Sequence, residues 1–544
     1  MVDAIEAGAR ADAPLAIFHG RLEPCVLDAR SAYAAARKWA QVFVRHGVRR
    51  GDRVVLLLPT GPTFVAALLG AMLAGAAAVP LATPMTFGSL EPFLRNLGST
   101  FDSAAARVLV ASTRALAAIR THASSLVLPP VVLTEADTID TVLTRAPLPT
   151  LDEADAALIQ YTSGTTGRPK GVVISHGALV SNAFAIAHGL ELDPTDVGVS
   201  WLPLFHDMGL VGVLLTAVCH PYALHLAAPE YFAMGAERWL RLASEVQATI
   251  TAAPNFAYEH CVARVAKLDE ERLDGLRLAL NGAEPVHAET VRRFARALGP
   301  FGLRSTASLP VYGMAESTLA VSFAARGVLS TIHVDRGALE KRGVARRSDA
   351  SGARELVGVG TPVAGTSIRI ADAAGRTMET ERVGRILIAG ASVMDGYFRD
   401  DEASARALSG GWLDSGDLGF VSGGQLFVTG RAKEIIIQGG RNVDPHDIEH
   451  AVIEATGLRA GSVAAFGIDD ADAGTERVVL VVETGPKEDR GEERSRSIRG
   501  AVLGTLGVRV DDVVFVALGA IPRTTSGKAR RSECARRWAP GGRA

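Results

Sequence analysis

The chain has 544 residues, 48% of them hydrophobic and 21% charged, with a formal net charge of −2. That length exceeds what one hydrophobic core supports, about 250–300 residues, so at least two domains are expected. A charge so close to zero gives no global attraction to nucleic acid or to an anionic membrane surface, and no nucleic-acid partner is expected. The four cysteines, Cys25, Cys219, Cys261 and Cys534, lie far apart without C-x-x-C spacing, which argues against a zinc cluster or a disulfide scaffold and fits a reducing cytoplasm. The opening MVDAIEAGARADAPLA is acidic and lacks a long apolar run, so no secretory leader is expected.

In chain order, residues 54–58 predict a strand and Pro59-Thr60-Gly61-Pro62 a break. A buried helix follows from Thr63, capped at Gly75, and then a second strand at 77–81. The uncharged stretch 64–82 matches the roughly 20 residues needed to cross a bilayer. Gly75 and Pro80 interrupt it, however, and the strand–helix–strand reading is preferred, with no transmembrane segment. Short apolar runs at 108–111, 156–160, 172–174, 248–252 and 276–281 alternate with amphipathic stretches of helix length. That alternation predicts an α/β fold with parallel sheets flanked by helices and ligands at strand carboxyl ends. Near residue 360 the pattern changes to strands at 366–370, 384–388 and 425–429 joined by glycine turns, a β-rich subdomain covering about 355–430. Beyond Gly430 come a strand at 435–437, a turn at Gly439-Gly440, and a helix from Pro445 to Thr456. Asp444 is its expected N-cap, and Asp447 is expected to reach back to the free N–H groups. Strands at 463–466 and 478–482 and a charged, solvated run at 486–496 complete a small α+β domain. The expected division is 1–430 and 431–544.

The chemistry begins at Tyr161-Thr162-Ser163-Gly164-Thr165-Thr166-Gly167-Arg168-Pro169-Lys170-Gly171, between two strand-like runs. Its glycines let the backbone turn tightly and aim N–H groups at an anion, while the hydroxyls and Lys170 add donors for phosphate oxygens. No Walker A spacing fits it. For composition alone, a polar surface loop would be the commoner explanation.

This loop resembles the phosphate-binding motif of the adenylate-forming superfamily, which holds acyl-CoA synthetases, peptide-synthetase adenylation domains and luciferases. Five further segments resemble the family's motifs in order: Asn281-Gly282-Ala283-Glu284-Pro285, Tyr312-Gly313-Met314-Ala315-Glu316-Ser317, Trp412-Leu413-Asp414-Ser415-Gly416-Asp417, Gly430-Arg431-Ala432-Lys433-Glu434 and Pro522-Arg523-Thr524-Thr525-Ser526-Gly527-Lys528. Together they span residues 161–528. The resemblance implies that ATP is cradled by Thr162, Ser163, Gly164, Thr165, Thr166 and Gly167. The segment Asn281, Gly282, Ala283 and Glu284 would lie along the adenine, with Tyr312, Gly313 and Met314 at the base and Asp417 on the ribose. Arg431 joins the nucleotide set through its motif. Mg2+ would bind Glu316 and Thr162. Lys528 would arrive on a mobile C-terminal domain that pivots at Lys433, and Lys170, His206 and Lys528 form the expected catalytic set. An attack by a carboxylate on the α-phosphorus brings two anions together, so a cation between them is what the chemistry requires. Plain alternatives stand beside these roles: Glu316 as a helix cap, Asp417 as a turn residue, His206 as a core residue, and Lys528 as part of a solvated basic cluster.

The string Trp201-Leu202-Pro203-Leu204-Phe205-His206-Asp207-Met208-Gly209-Leu210, with Pro254-Asn255-Phe256-Ala257-Tyr258, is similar to fatty acyl-AMP ligases. That implies a fatty acid activated to acyl-AMP and passed to the phosphopantetheine thiol of an acyl carrier protein. Many such ligases carry an insertion after the G-Y-[WY] motif. Here Gly396-Tyr397-Phe398 reaches Trp412 by the short spacing of acyl-CoA synthetases, so CoA stays open as the acceptor. A β-amino or aryl acid, and an inactive nucleotide-binding relative, are the remaining alternatives. A serine hydrolase is disfavoured because no G-x-S-x-G elbow occurs. Arg530, Arg531, Arg536, Arg537 and Arg543 could present a basic surface to an acidic carrier.

Overall fold

The computed structural model describes the chain except residues 9–13, 21–22, 84–89, 123–125, 139–147, 163–168, 471–474, 487–489, 525–526 and 539–544. Among the described residues, two large sheets carry most of the chain. The first runs Gly396–Tyr397, Lys170–Ser175, Ala156–Thr162, Ala77–Pro80, Arg53–Leu57, Val108–Ala111, Val131–Leu133. Its last five strands pair in parallel. The second has a parallel centre of Ser308–Gly313, Leu278–Gly282, Ile250–Pro254, Val197–Ser200, Ala223–Ala227 and Pro14–His19, with antiparallel strands at both edges. This is the α/β organisation that the alternating pattern predicts.

The apolar stretch 64–82 folds as expected. Pro62 opens the helix Pro62–Leu73, Gly75 turns with φ +76°, and Ala77–Pro80 enters the sheet. Every residue from Phe64 to Leu73 is buried, which accounts for the absence of charge. The helix lies directly on Ala29–Arg45; a Cβ at Gly70 would sit 2.5 Å from Trp39 Cβ, so only glycine permits that approach. No helix among the described residues is long and apolar enough to cross a membrane.

One pairing differs from the parallel expectation. Strands Ala156–Thr162 and Lys170–Ser175 form an antiparallel hairpin, because the short link between them cannot make the crossover of a dozen residues that parallel pairing needs. Residues 163–168 of the phosphate loop, including Ser163, Gly164, Thr165, Thr166 and Gly167, lie outside the described residues. The two ends of the loop are nevertheless fixed, since Thr162 pairs with Lys170.

The β-rich region is an antiparallel sheet of Thr366–Ala371, Gly384–Gly390, Trp412–Ser422, Leu408–Ser409 and Gln425–Arg431. After Arg431 a three-stranded sheet, Val463–Asp470, Thr475–Thr484 and Val510–Ala517, packs against the helices Pro445–Thr456, Glu492–Leu506 and Arg531–Trp538 around its own apolar core. Asp444 caps Pro445–Thr456 by accepting from the His446 N–H, as expected. Asp447 does not reach back along the helix. Its carboxylate is drawn away by Arg354 Nε at 2.9 Å and Arg336 at 3.1 Å, two stronger charged donors. The charged run resolves in part into the start of helix Glu492–Leu506.

Candidate active site

Side chains from both large sheets, the β-rich sheet and the C-terminal unit line one cavity of about 570 Å³. Thr162, at the carboxyl end of its strand, and Lys170, at the amino end of the antiparallel neighbour, come from the first sheet, and Tyr312, Gly313 and Met314, at a strand carboxyl end, from the second. The turn that follows supplies Glu316, and the β-rich sheet supplies Asp417's neighbours Ser415 and Gly416 together with Arg431. His206, Lys433 and Lys528 complete the polar wall. Away from it the lining turns apolar, through Ile186, Val213, Leu280, Leu319 and Phe323. A polar end and an apolar end thus share a single space. A larger cleft of about 1430 Å³ opens on the other side of Lys528, with Glu284, Asp417, Arg431 and Lys433 on its walls.

At the polar end, buried Asp417 accepts from the Tyr312 hydroxyl at 2.7 Å and from Arg431 Nε at 3.0 Å. The carboxylate is held rigidly while each oxygen keeps a second lone pair for a further donor. Gly313 has no room for a side chain, since a Cβ would stand 2.1 Å from the Leu319 carbonyl oxygen. Glu316 sits on a single turn, Ala315–Ser317, rather than capping a helix. Burial raises its pKa, and the Tyr397 hydroxyl donates to its Oε1 at 3.0 Å. Just beyond it, Thr318 is forced to φ +63° and ψ −55°, a strained conformation for a β-branched residue; its hydroxyl donates to the Ser392 carbonyl at 2.7 Å.

His206 is no core residue: it lines the cavity, with Nδ1 2.7 Å from Asp207 Oδ1. Burial alone would raise the Asp207 pKa, but His206 and Lys528 outweigh it and hold the carboxyl below its usual range. Gln160 Nε2 donates to the Phe205 carbonyl at 2.7 Å and ties this loop to the phosphate-loop strand. Lys528 retains solvent access between the walls of the cleft. Desolvation by those walls and repulsion from Arg431 lower its pKa, while Asp207, Glu284 and Asp417 oppose the shift.

Not every expected residue reaches the cavity. Asn281 is buried behind it, donating to Asn255 Oδ1 at 3.1 Å. Gly282 is packed against Val311, where a Cβ would lie 2.6 Å from Cγ2. Ala283, at φ +66°, does line it, and Glu284 faces the larger cleft while accepting from the Phe256 N–H at 2.6 Å. The basic C-terminal surface is also smaller than expected. Arg531 packs against Glu449 and Glu434 from neighbouring elements, and Arg530 and Arg537 both pair with Glu533, one turn away along the same segment. Thr525, Ser526 and Arg543 lie outside the described residues. The reading of motifs missed Tyr397, Gln160 and Asp207. Tyr397 and Asp207 stand within quoted motifs and Gln160 adjoins Tyr161, but the contacts that give them a part in the site depend on the fold.

A family profile described as AMP-binding enzyme matches residues 8–398. The chain belongs to the AMP-binding enzyme family. Among similar proteins, the long-chain-fatty-acid–AMP ligase FadD26 of Mycobacterium tuberculosis is 35% identical, over 93% of this chain and 92% of that protein. A putative acyl-CoA synthetase of Caulobacter vibrioides is 34% identical over 92% of this chain and 89% of its own. A solved structure from work on the fatty acyl-adenylate ligases of E. coli and L. pneumophila superposes with a TM-score of 0.90 at 33% identity, covering 98% of this chain and 96% of that one. The adenylate-forming resemblance is thereby established, and with it a ligase that uses ATP. Within this AMP-binding enzyme, Glu316 and Thr162 suit magnesium. No cluster of three or more His, Cys, Asp or Glu side chains that could hold a metal occurs among the described residues, and magnesium needs few protein ligands beside water and phosphate oxygens.

Proposed function

We propose that the enzyme activates a fatty acid to acyl-AMP with release of pyrophosphate, and then passes the acyl group to the phosphopantetheine thiol of an acyl carrier protein. The observation that carries this reading is the single cavity lined both by polar residues, His206 and Lys528 among them, and by the apolar Ile186, Val213, Leu280, Leu319 and Phe323. ATP would lie at the polar end, with Asp417 accepting from the ribose, Tyr312 at the base, and Lys170 and the phosphate loop on the phosphates. A magnesium ion on Glu316 and Thr162 would supply charge neutralisation. The acyl chain would occupy the apolar end, which places its carboxylate beside His206. Lys528 then bridges the carboxylate and the α-phosphate, offsetting the repulsion between two anions and stabilising the charge that develops as the oxygen attacks phosphorus and pyrophosphate departs. A depressed ammonium pKa eases no proton transfer here; the role needs only the charge. Lys433 serves as the pivot of a mobile unit 431–544 that brings Gly439-Gly440 to the site for the second step.

CoA as acceptor is the second reading. The connection after Gly396–Tyr397 is a short helix, Asp401–Ala407, and a hairpin, with no inserted segment to hinder the second conformation. Mass spectrometry of one mixture separates the readings: enzyme, ATP, magnesium, CoA and a ladder of carboxylic acids that includes aryl and β-amino acids. Accumulation of acyl-AMP without acyl-CoA supports the carrier-protein route and reports the preferred acid. Abundant acyl-CoA replaces that route with a CoA ligase. Absence of either product from every acid sinks the activity itself.

A further inference from the structure

Tyr397 touches both of the charged groups that face each other across the polar end. Its hydroxyl donates to Glu316 Oε1 at 3.0 Å, and Lys170 Nζ lies 4.5 Å from the centre of its ring. The backbone around it is stitched to the same two motifs. Gly396–Tyr397 pairs antiparallel with Lys170–Ser175, the Phe398 N–H donates to the Gly171 carbonyl at 2.7 Å, and the Met394 N–H donates to the Glu316 carbonyl at 2.9 Å. The Tyr397 N–H is itself anchored on Ser404 Oγ at 2.8 Å.

We propose that Tyr397 is a positioning residue, a neutral spacer that keeps Lys170 and Glu316 from pairing with each other and so leaves both available to phosphate and metal. The inference rests on the nucleotide-binding roles proposed above. Opposite charges in a cavity with little water attract strongly, and a direct Lys170–Glu316 ion pair would have to be broken before either could bind its ligand. Tyr397 offers each a weaker partner, a neutral O–H for the carboxylate and a π face for the ammonium. Both are surrendered readily when a phosphate chain enters. The short strand pairing holds the backbone that carries the ring.

The test uses the full chain and a fluorescent ATP analogue, titrated with and without Mg2+. In Tyr397→Leu the spacer is gone, so affinity without Mg2+ should fall about tenfold, and adding Glu316→Gln should restore it by removing the competing carboxylate. Tyr397→Phe keeps the ring and removes only the hydroxyl that Mg2+ must displace from Glu316, so affinity without Mg2+ should stay near that of the wild type and the Mg2+ needed for half-maximal binding should not rise. Wild-type-like binding by Tyr397→Leu, or a loss that Glu316→Gln does not relieve, overturns the spacer role. Should Tyr397→Leu fail to fold, a tenfold loss of affinity without Mg2+ in Tyr397→Phe, which keeps the ring, overturns it instead. Acyl-AMP formation by the wild type in the acid ladder is measured alongside, so that failure of the nucleotide reading is distinguished from failure of the spacer alone.

Discussion

The C-terminal unit meets the rest of the molecule through two unlike regions. On one side is a buried charged latch: Arg354 binds Asp444 at 3.2 Å and Asp447 at 2.9 Å, Arg336 joins Asp447 at 3.1 Å, and Arg441 binds Glu340 at 2.6 Å. The His287 and His450 rings stack beside it, 4.4 Å apart. On the other side is Lys528, whose ammonium makes no ion pair or hydrogen bond with a described residue, although Asp207, Glu284 and Asp417 all act on it from farther off. The contrast separates holding from acting. Many directional bonds at the latch fix the orientation, while the cation proposed to meet two substrates makes no fixed contact with a described residue.

The largest effect should come from the free side. Lys528→Ala is expected to cut acyl-AMP formation about 10²–10³-fold, the usual cost of losing a transition-state charge partner. The melting temperature should hardly move, because no fixed contact is lost. Pyrophosphate release and thermal melting measure the two, and a large drop in melting temperature would show that Lys528 is part of the holding surface after all.

The opposite change belongs to the latch. Arg354→Met leaves buried Asp444 without its arginine and Asp447 with Arg336 alone, and should cost about 3 kcal/mol in the docking of the C-terminal unit. Proteolysis near residues 431–435 should quicken and acyl-AMP formation should fall. Transfer from preformed acyl-AMP should be spared, since that step does not need this docking. Equal loss of both steps would mean that the latch supports the whole fold rather than one arrangement of it.

Much of the free side was legible from sequence and little of the latch was. Lys528, Asp417, Glu316 and Arg431 each sit in a short motif, as residues whose type and spacing a bound nucleotide would dictate, the role proposed for them. Helix Pro445–Thr456 was legible too, through Asp444 and Pro445. Arg354, Glu340 and Asp447 carry no such signature, and their pairing depends on how a helix of one unit lands on another. The same reason explains Asp447, which the helix-cap rule assigns to its own N–H groups and the tertiary structure gives to two arginines. The apolar end was equally illegible: Ile186, Val213 and Phe323 come from three elements and look like ordinary core residues until the sheets assemble.

Lys433 lies between the two regions, and a substitution there should affect only the exchange between them. Lys433→Pro fixes φ and removes an N–H at the proposed pivot. Transfer to the acceptor thiol should slow about tenfold or more, with acyl-AMP formation nearly unchanged. Single-turnover assays of each step give the comparison, and parallel losses would remove the pivot from Lys433.

The smallest expected effect tests the latch by pH. Burial and Arg531 push the His446 imidazole down, but Asp444, bonded at 3.0 Å, together with Glu449 pushes it further up, and the net pKa is raised. A raised imidazole stabilises the docked form fully below its ordinary value of about 6.5, and that stabilisation is lost as pH climbs through the raised value. His446→Gln should therefore destabilise the protein by about 1 kcal/mol near pH 6 and hardly at all near pH 9. His287 works in the other sense. Burial and the neighbouring His450 and His446 hold its pKa down at about 3, so the folded form resists its protonation and stability falls as pH drops below about 6.5. Melting curves of the wild type, His446→Gln and His287→Gln across this range should diverge in opposite directions. Parallel curves would place neither histidine in the holding surface, and the latch would then depend on its arginines alone.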